Sequence, residues 1–132
     1  MIILTIDGRE LRGLEIFKYT PKWELLDGEG TGRTRAVGWD LIRDPQGVIC
    51  NFAVEIFKTR ADNPDYIYFM DKYYSLGSQE FVSVSHVDHT GRSWTQEMYY
   101  VVDPVECIKF DDGIIYTGNI TARFIAKKGR IQ

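Results

Sequence analysis

The fold is decided by the stretch Ile16-Phe17-Lys18-Tyr19-Thr20-Pro21-Lys22-Trp23-Glu24-Leu25-Leu26. Apolar and polar side chains alternate along it, so that Phe17, Tyr19, Trp23 and Leu25 share one face. This period of two residues is typical of a half-buried β-strand. Pro21 lies inside the run and has no N–H to donate, so the strand is predicted to be an edge strand or to contain a bulge.

Strand patterns continue on both sides of this run. Residues 1–8 lack the basic region and the cleavage site of a signal peptide. They are predicted as a first strand. Residues 34–58 are predicted as a long hairpin with its turn at Asp44-Pro45-Gln46-Gly47. Its apolar faces are formed by Val37, Trp39 and Leu41 and then by Val48, Cys50, Phe52, Val54 and Ile56.

One helix is predicted after residue 63. Asn63 is an N-cap candidate, and Pro64 suits the first helical position. Helical spacing places four apolar residues on one face, and Gly77 is a plausible stop. The face consists of Tyr66, Phe69, Met70 and Tyr73.

The C-terminal half again has strand patterns. Residues 80–88 and 92–102 are predicted as a hairpin, and residues 114–126 as one long final strand. The strands cluster on either side of a single helix, without the alternation of a parallel α/β sheet. The predicted class is therefore mostly β with one short helix, an antiparallel β-sandwich or a partly closed β-barrel, in a single domain 1–132.

Composition favours a well-packed core. Apolar residues make up 44% of the chain and aromatic residues 14%, which argues against disorder. Trp23, Trp39 and Trp94 fall on the apolar phase of their strands and are predicted to lie in the core. Cys50 and Cys107 are predicted to be unbonded core residues, as in a reducing compartment.

Charge is distributed unevenly along the chain. The net charge is −3, which does not favour nucleic-acid binding. Residues 36–112 hold six bases and thirteen acids, a net −7, whereas residues 113–132 hold four bases and no acid, a net +4. Such opposite patches suit head-to-tail contacts between copies of one chain, so the basic tail is predicted to find its counter-charge on a neighbouring copy. A solvated charged end is the alternative.

A glycine-rich loop, residues 27–35, lies between two strand patterns. It combines three alternate glycines with Asp27, Glu29, Arg33 and Arg35. A mobile charged loop on a rigid sheet is typical of a contact surface, and we expect it to bind a partner through its two arginines. The spacing Gly28-x-Gly30-x-Gly32 is not a phosphate-binding loop, because a strand and not a helix is predicted to follow it.

No catalytic, cofactor-binding or metal-ligating residue is predicted. The best candidates for metal or acid–base chemistry lie in His86-Val87-Asp88-His89, but a strand would direct the two imidazoles to opposite faces. The serines Ser83 and Ser85 alternate with valines, as on the exposed face of a strand. The residues predicted to form interfaces are Asp27, Glu29, Arg33, Arg35, Lys127, Lys128 and Arg130.

Short motifs across residues 17–57 resemble a known family. They are Leu26-Asp27-Gly28, Gly32-Arg33-Thr34, Gly38, Arg43-Asp44 and Gly47, and the closing run Phe124-Ile125-Ala126-Lys127-Lys128 is similar in pattern. Together they resemble small tail-associated proteins encoded in the structural-gene clusters of siphophages and prophages of Gram-positive bacteria. The resemblance implies a tail-tube or tail-tip subunit with a tail-tube-like β fold.

The resemblance also implies a role without catalysis or cofactor. We expect such a protein to assemble into rings through loops and edge strands and to contact other tail proteins, first in the host cytoplasm and then in the virion. It would not bind a membrane or a specific nucleic-acid sequence. The alternatives are a small-ligand-binding β-barrel of the split-barrel flavin type, and a hydrolase or metal enzyme centred on His86, Asp88 and His89.

Overall fold

The computed structural model describes residues 2–27, 32–33, 38, 41–43 and 45–127. The chain is mostly β with one helix and antiparallel sheets, which confirms the predicted class. In chain order the elements are β1 Thr5–Ile6, β2 Arg9–Glu10, β3 Ile16–Asp27, β4 Gly32–Arg33, β5 Leu41–Ile42, β6 Pro45–Ile56, α1 Pro64–Ser75, β7 Val82–Val87, β8 Ser93–Val102, β9 Cys107–Asp111, β10 Ile114–Thr117 and β11 Ile120–Ala126.

Seven strands form one antiparallel sheet. Their order is β2-β1-β7-β8-β11-β6-β3, while β9–β10 and β4–β5 are separate two-stranded pairs. The sheet curls strongly. This curl brings Tyr19 of β3 within hydrogen-bond distance of His86 of β7, although the two strands are four positions apart in the strand order. A bridge between Ile2 and Ile16 links the N-terminal segment to β3, but the sheet is not a closed barrel.

The core lies on the concave side of this sheet. Alternate residues of β6, β7, β8 and β11 point into it, as expected from the two-residue period of a strand. A stack of aromatic rings fills its centre. The ring centres of Phe52 and Phe124 are 4.6 Å apart, and the ring centre of Tyr100 is 4.7 Å from that of Phe124 and 4.9 Å from that of Phe69 in α1. The helix therefore covers part of the concave face through Phe69 and Tyr66.

The helix begins where the sequence predicts. The Asn63 side chain accepts a hydrogen bond from the Asp65 N–H at 3.0 Å, and Pro64 follows as the first helical residue. The same end is tied to the N-terminal loop, since Gly13 N–H donates to Asp65 and Asn63 Nδ2 donates to the Gly13 carbonyl. Local capping signals were enough to predict this helix.

The prediction of a 34–58 hairpin is wrong. β6 begins at Pro45 and pairs along its length with β3, so the hairpin joins residues 16–27 to residues 45–56. The Pro-Gly signal at 44–47 therefore marks the start of a strand, where a proline is tolerated because it need not donate to the ladder. Most of residues 34–44 lie outside the described part of the chain. Of the two alternatives predicted from Pro21, the edge strand is confirmed, because β3 ends the sheet. Pairing is regular at Pro21, and the register shifts between Ile16 and Lys18 and between Leu26 and Asp27.

The predicted final strand is two strands in different sheets. Residues 114–117 pair with β9, a strand that was not predicted, and residues 120–126 lie between β6 and β8. The break falls at Gly118 and Asn119. Gly118 N–H donates to the Glu106 carbonyl, and the Asn119 side chain accepts from Lys58 N–H, so both residues are held by neighbouring segments instead of a strand ladder.

Several apolar residues predicted to be buried are exposed. Trp23 keeps 42% of its surface, and Phe17 and Leu25 are also exposed, because β3 is an edge strand with neighbours on one side only. Trp94 is half-buried, and Trp39 lies outside the described residues. Cys50 is buried as predicted, but Cys107 is exposed on β9; both thiols are free.

Candidate functional site

Most of the predicted interface residues cannot be placed. Glu29, Arg35, Lys128 and Arg130 lie outside the described residues. The backbone of Asp27 ends β3 and that of Arg33 ends β4, and their side chains are not described. The predicted contact through the two arginines of the 27–35 loop therefore stays a prediction.

Lys127 follows β11 and belongs to the predicted basic tail. It is bound by residues of its own chain. Its N–H donates to the Glu97 carbonyl, its Nζ lies 3.5 Å from Glu97 Oε2, and the same Nζ lies 5.5 Å from the ring centre of Phe81. The expectation that the tail has no local counter-charge is wrong for Lys127, because strand pairing with β8 brings a glutamate directly opposite.

The β9–β10 hairpin carries exposed apolar side chains. All five residues of β9 are exposed, with Phe110 keeping 72% of its surface and Ile108 51%. The hairpin is joined to the body through backbone bonds on the β10 side, where Thr117 N–H donates to Thr59 and Ala61 N–H donates to Ile115. The sequence signal is short: Ile108 and Phe110 alternate with Lys109 and Asp111 over only four residues.

The outer edge of β3 is interrupted by Pro21. The N–H and C=O of Cys50 bond the Gln96 side chain and so point away from β3. Trp23 is opposite Cys50, so its own N–H and C=O point outward. By alternation the C=O of Pro21 also points outward, together with its nitrogen, which carries no hydrogen. Proline on an outward-facing edge leaves a gap in the row of donors, which discourages the addition of another strand.

His86 lies in the core between aromatic rings. Its ring centre is 4.2 Å from that of Phe52, and its Nε2 shares a hydrogen bond of 2.9 Å with the Tyr19 hydroxyl. Nδ1 has no hydrogen-bond partner in the described part of the chain. Burial lowers the pKa of His86 to about 4, against a smaller opposing effect of the Asp88 charge, so the ring is neutral at pH 7.

The groups around this imidazole are also held neutral. The Tyr19 hydroxyl lies 3.9 Å from the Cys50 thiol. Burial raises the pKa of Tyr19 and the pKa of Cys50, so the thiol is a poor nucleophile at neutral pH. The arrangement supports a packed hydrogen-bonded cluster that ties β3, β6 and β7 together.

Asp88 organises the turn between β7 and β8. Its carboxylate accepts hydrogen bonds from Thr90 N–H, Thr90 Oγ1, Arg92 N–H and Trp94 Nε1, at 2.6–3.1 Å. These bonds, led by those from Thr90 and Trp94, hold its pKa well below the usual range. His89 projects into solvent beside the Trp23 ring, 5.4 Å away between ring centres.

The two imidazoles have separate environments, as the strand spacing predicted. Within the described residues, no group of three His, Cys, Asp or Glu side chains is placed to hold a metal ion. Over the same residues, no helix has the length and apolar character needed to cross a membrane.

A groove of about 650 Å³ lies at the C-terminal end of α1 beside β8. We call it the tyrosine groove; it is lined by Tyr73, Tyr74, Leu76, Gly77, Ser78, Gln79, Glu80, Tyr99 and Tyr100. A second groove of about 560 Å³ shares Gln79 and Glu80 with it and continues to Phe81, Glu97 and Lys127. No sequence pattern predicts this surface, because its residues come from the end of a helix, a loop and a strand that lie apart in the sequence.

No protein family, curated protein or solved structure matches this chain.

Proposed function

We propose that this protein is a non-enzymatic structural subunit, a phage or prophage tail component of the tail-tube or tail-tip type. The observation that carries the structural role is the β9–β10 hairpin, which presents Phe110 and Ile108 to solvent away from the packed core. Burying such a side chain at an interface stabilises it by about 1.5–3 kcal/mol, and aromatic residues of this kind often dominate binding.

The exposed apolar residues occupy separate places on the molecule. Phe110 belongs to the hairpin, whereas Trp23 and Leu25 belong to the edge strand β3. Two different surfaces on one chain suit a head-to-tail contact, which closes into a ring when the rotation between copies permits. Self-association into a ring and contact with further tail proteins are parts of this proposal, as is location in the host cytoplasm and then in the virion.

The assignment to phage tails comes from the resemblance of residues 17–57 to small tail-associated proteins. The mostly β antiparallel fold agrees with what that resemblance implies. The small-ligand-binding β-barrel is the alternative. A ligand inside the curled sheet would compete with the stacked rings of Phe52, Phe124 and Tyr100, so we place the structural role first.

The test is the mass of the full chain in solution at rising concentration, measured by size-exclusion chromatography with light scattering. We expect concentration-dependent assembly, with rings visible by negative-stain microscopy. Phe110→Ser should weaken assembly by tenfold or more while leaving the thermal midpoint nearly unchanged, because an exposed side chain contributes within about 0.5 kcal/mol to folding.

The matched control is Ile67→Ser, at an exposed apolar residue of α1. It should leave assembly unchanged. A chain that stays monomeric at every concentration, or a visible-range chromophore that copurifies with a monomer, would contradict the proposed function.

A further inference from the structure

We propose that the tyrosine groove of one copy binds the basic C-terminal segment, Lys128-Gly129-Arg130-Ile131-Gln132, of a neighbouring copy. The inference rests on the proposed structural role and assigns a particular surface to it. The segment carries two cations and no acid. Its own position lies outside the described residues, and the features that favour this contact are the groove and the surroundings of Lys127.

Lys127 shows how this surface receives a cation. Its ammonium lies between the Glu97 carboxylate and the face of the Phe81 ring, at 3.5 Å from Oε2 and 5.5 Å from the ring centre. A carboxylate together with an aromatic face is a favourable setting for Lys or Arg, since ion pairing and cation–π attraction add. The next cations of the segment have the same chemical requirement.

The tyrosine groove repeats this combination further along. Tyr99, whose ring centre is 6.4 Å from that of Phe81, keeps 38% of its surface, and Tyr74 keeps 68%. Glu80 also lines the groove, is exposed, and forms no ion pair with a described residue. Tyrosine rings beside serine, glycine and glutamine side chains are also the composition of adaptable protein-binding surfaces.

The direction of β11 favours a neighbouring copy as the source of the segment. β11 runs antiparallel to β8, with Ala126 opposite Met98 and Lys127 bonded to Glu97. At Lys127 the chain is thus heading toward Gln96 and away from Tyr99. The groove beside Tyr99 lies behind the advancing chain, where the segment of another copy can approach it.

Charge contrast supports the same pairing. The groove belongs to the part of the chain with a net −7, and the segment to the part with a net +4. Contacts of this kind are screened over about 8 Å at physiological ionic strength, so binding should weaken as salt rises. The aromatic contacts should leave a residual affinity at high salt.

The experiment has two arms on the full chain. In the first, an acetylated peptide of residues 126–132 with a fluorescent label is titrated against chain diluted below its assembly concentration. We expect saturable binding that weakens tenfold or more in Glu80→Lys and in Tyr74→Ala. Asp71→Lys, which makes the same charge change on α1 outside the groove, should change the affinity less than twofold.

The second arm measures assembly by light scattering. Lys128→Glu with Arg130→Glu should weaken assembly tenfold or more, as should Glu80→Lys alone. Combining the three substitutions reverses both sides of the contact and should restore at least part of the lost affinity. This rescue separates a direct contact from an unrelated loss of folding.

The outcomes distinguish this proposal from the proposed function. If the chain assembles but neither the tail nor the groove variants alter assembly, the docking site is wrong and the structural role stands. If the peptide binds only the chain with Lys128→Glu and Arg130→Glu, the segment of the unsubstituted chain already fills the groove of its own copy. The proposed contact between copies is then wrong. If the chain never assembles, the structural role itself fails.

Discussion

His86 shows how one buried side chain sets the pH range over which a fold is stable. Its ring lies against Phe52, and only Nε2 is bonded, to Tyr19, among the residues described. Protonation would place a charge in surroundings that offer little compensation. The folded chain therefore binds this proton near pH 4, whereas an unfolded chain binds it near pH 6.5.

This difference makes stability depend on pH in a known direction. Between those two values the unfolded state holds more protons, so the free energy of unfolding falls as the pH is lowered. From pH 7 to pH 5 we expect a loss of about 2 kcal/mol, measured by urea unfolding. His86→Gln should remove most of this slope, and His89→Gln, at an exposed residue, should keep it. An unchanged slope in His86→Gln would refute the assignment.

The β7–β8 hairpin illustrates how a single turn residue holds an element. Asp88 follows β7 directly and accepts hydrogen bonds from the backbone of the turn and from the indole of Trp94 on β8. Gly91 completes the turn at φ 84°, in the left-handed region that favours glycine. The hairpin register follows from these two residues and from the six pairs between the strands.

Removing the Asp88 carboxylate should therefore loosen the hairpin. In Asp88→Ala the Trp94 indole N–H and two turn amides lose their acceptor, so the thermal midpoint should fall by several degrees. Asp71→Ala, at an exposed residue of the helix, should leave the midpoint almost unchanged. Equal midpoints for the two variants would show that solvent replaces the carboxylate without cost.

Elements with a local signal were predictable from the sequence, and those defined by distant partners were not. Asn63 and Pro64 specify the start of the helix through capping, and the turn at 88–91 specifies the second hairpin. β3 pairs with a strand that is not adjacent to it in sequence, because residues 28–44 separate β3 from β6. The split of residues 114–126 depends on contacts of Gly118 and Asn119 with segments far away in the chain.

The candidate surfaces show the same division. Lys127 was singled out by its charge, but its partner Glu97 follows only from strand pairing. Phe110 lies in a strand that was not predicted, and alternation alone would not have told a covered face of that strand from an uncovered one. The tyrosine groove joins residues 73–80 with residues 99–100, and that neighbourhood exists only after folding.

At the scale of the whole molecule, three outward features surround one core. The hairpin, the interrupted edge of β3 and the tyrosine groove involve different elements. Pro21 discourages indefinite sheet extension at the edge, so in the proposed assembly β3 should contribute through its exposed side chains Trp23 and Leu25 and not through strand addition. Such a division suits a subunit that must associate in a limited way.

The central place of β11 has a consequence for the timing of synthesis. β11 comes last among the described strands, and its pairing with both β8 and β6 makes one sheet of the pair β7–β8 and the pair β3–β6. While the chain is being made, each of those hairpins emerges from the ribosome before the strand that unites them. A chain stopped at Asn119 should show no cooperative thermal unfolding, whereas one stopped at Lys127 should unfold in a single transition. Cooperative unfolding of the shorter chain would contradict this. Folding of the sheet then waits until β11 has been made, and until that point the two hairpins are unfinished sheets with exposed edges.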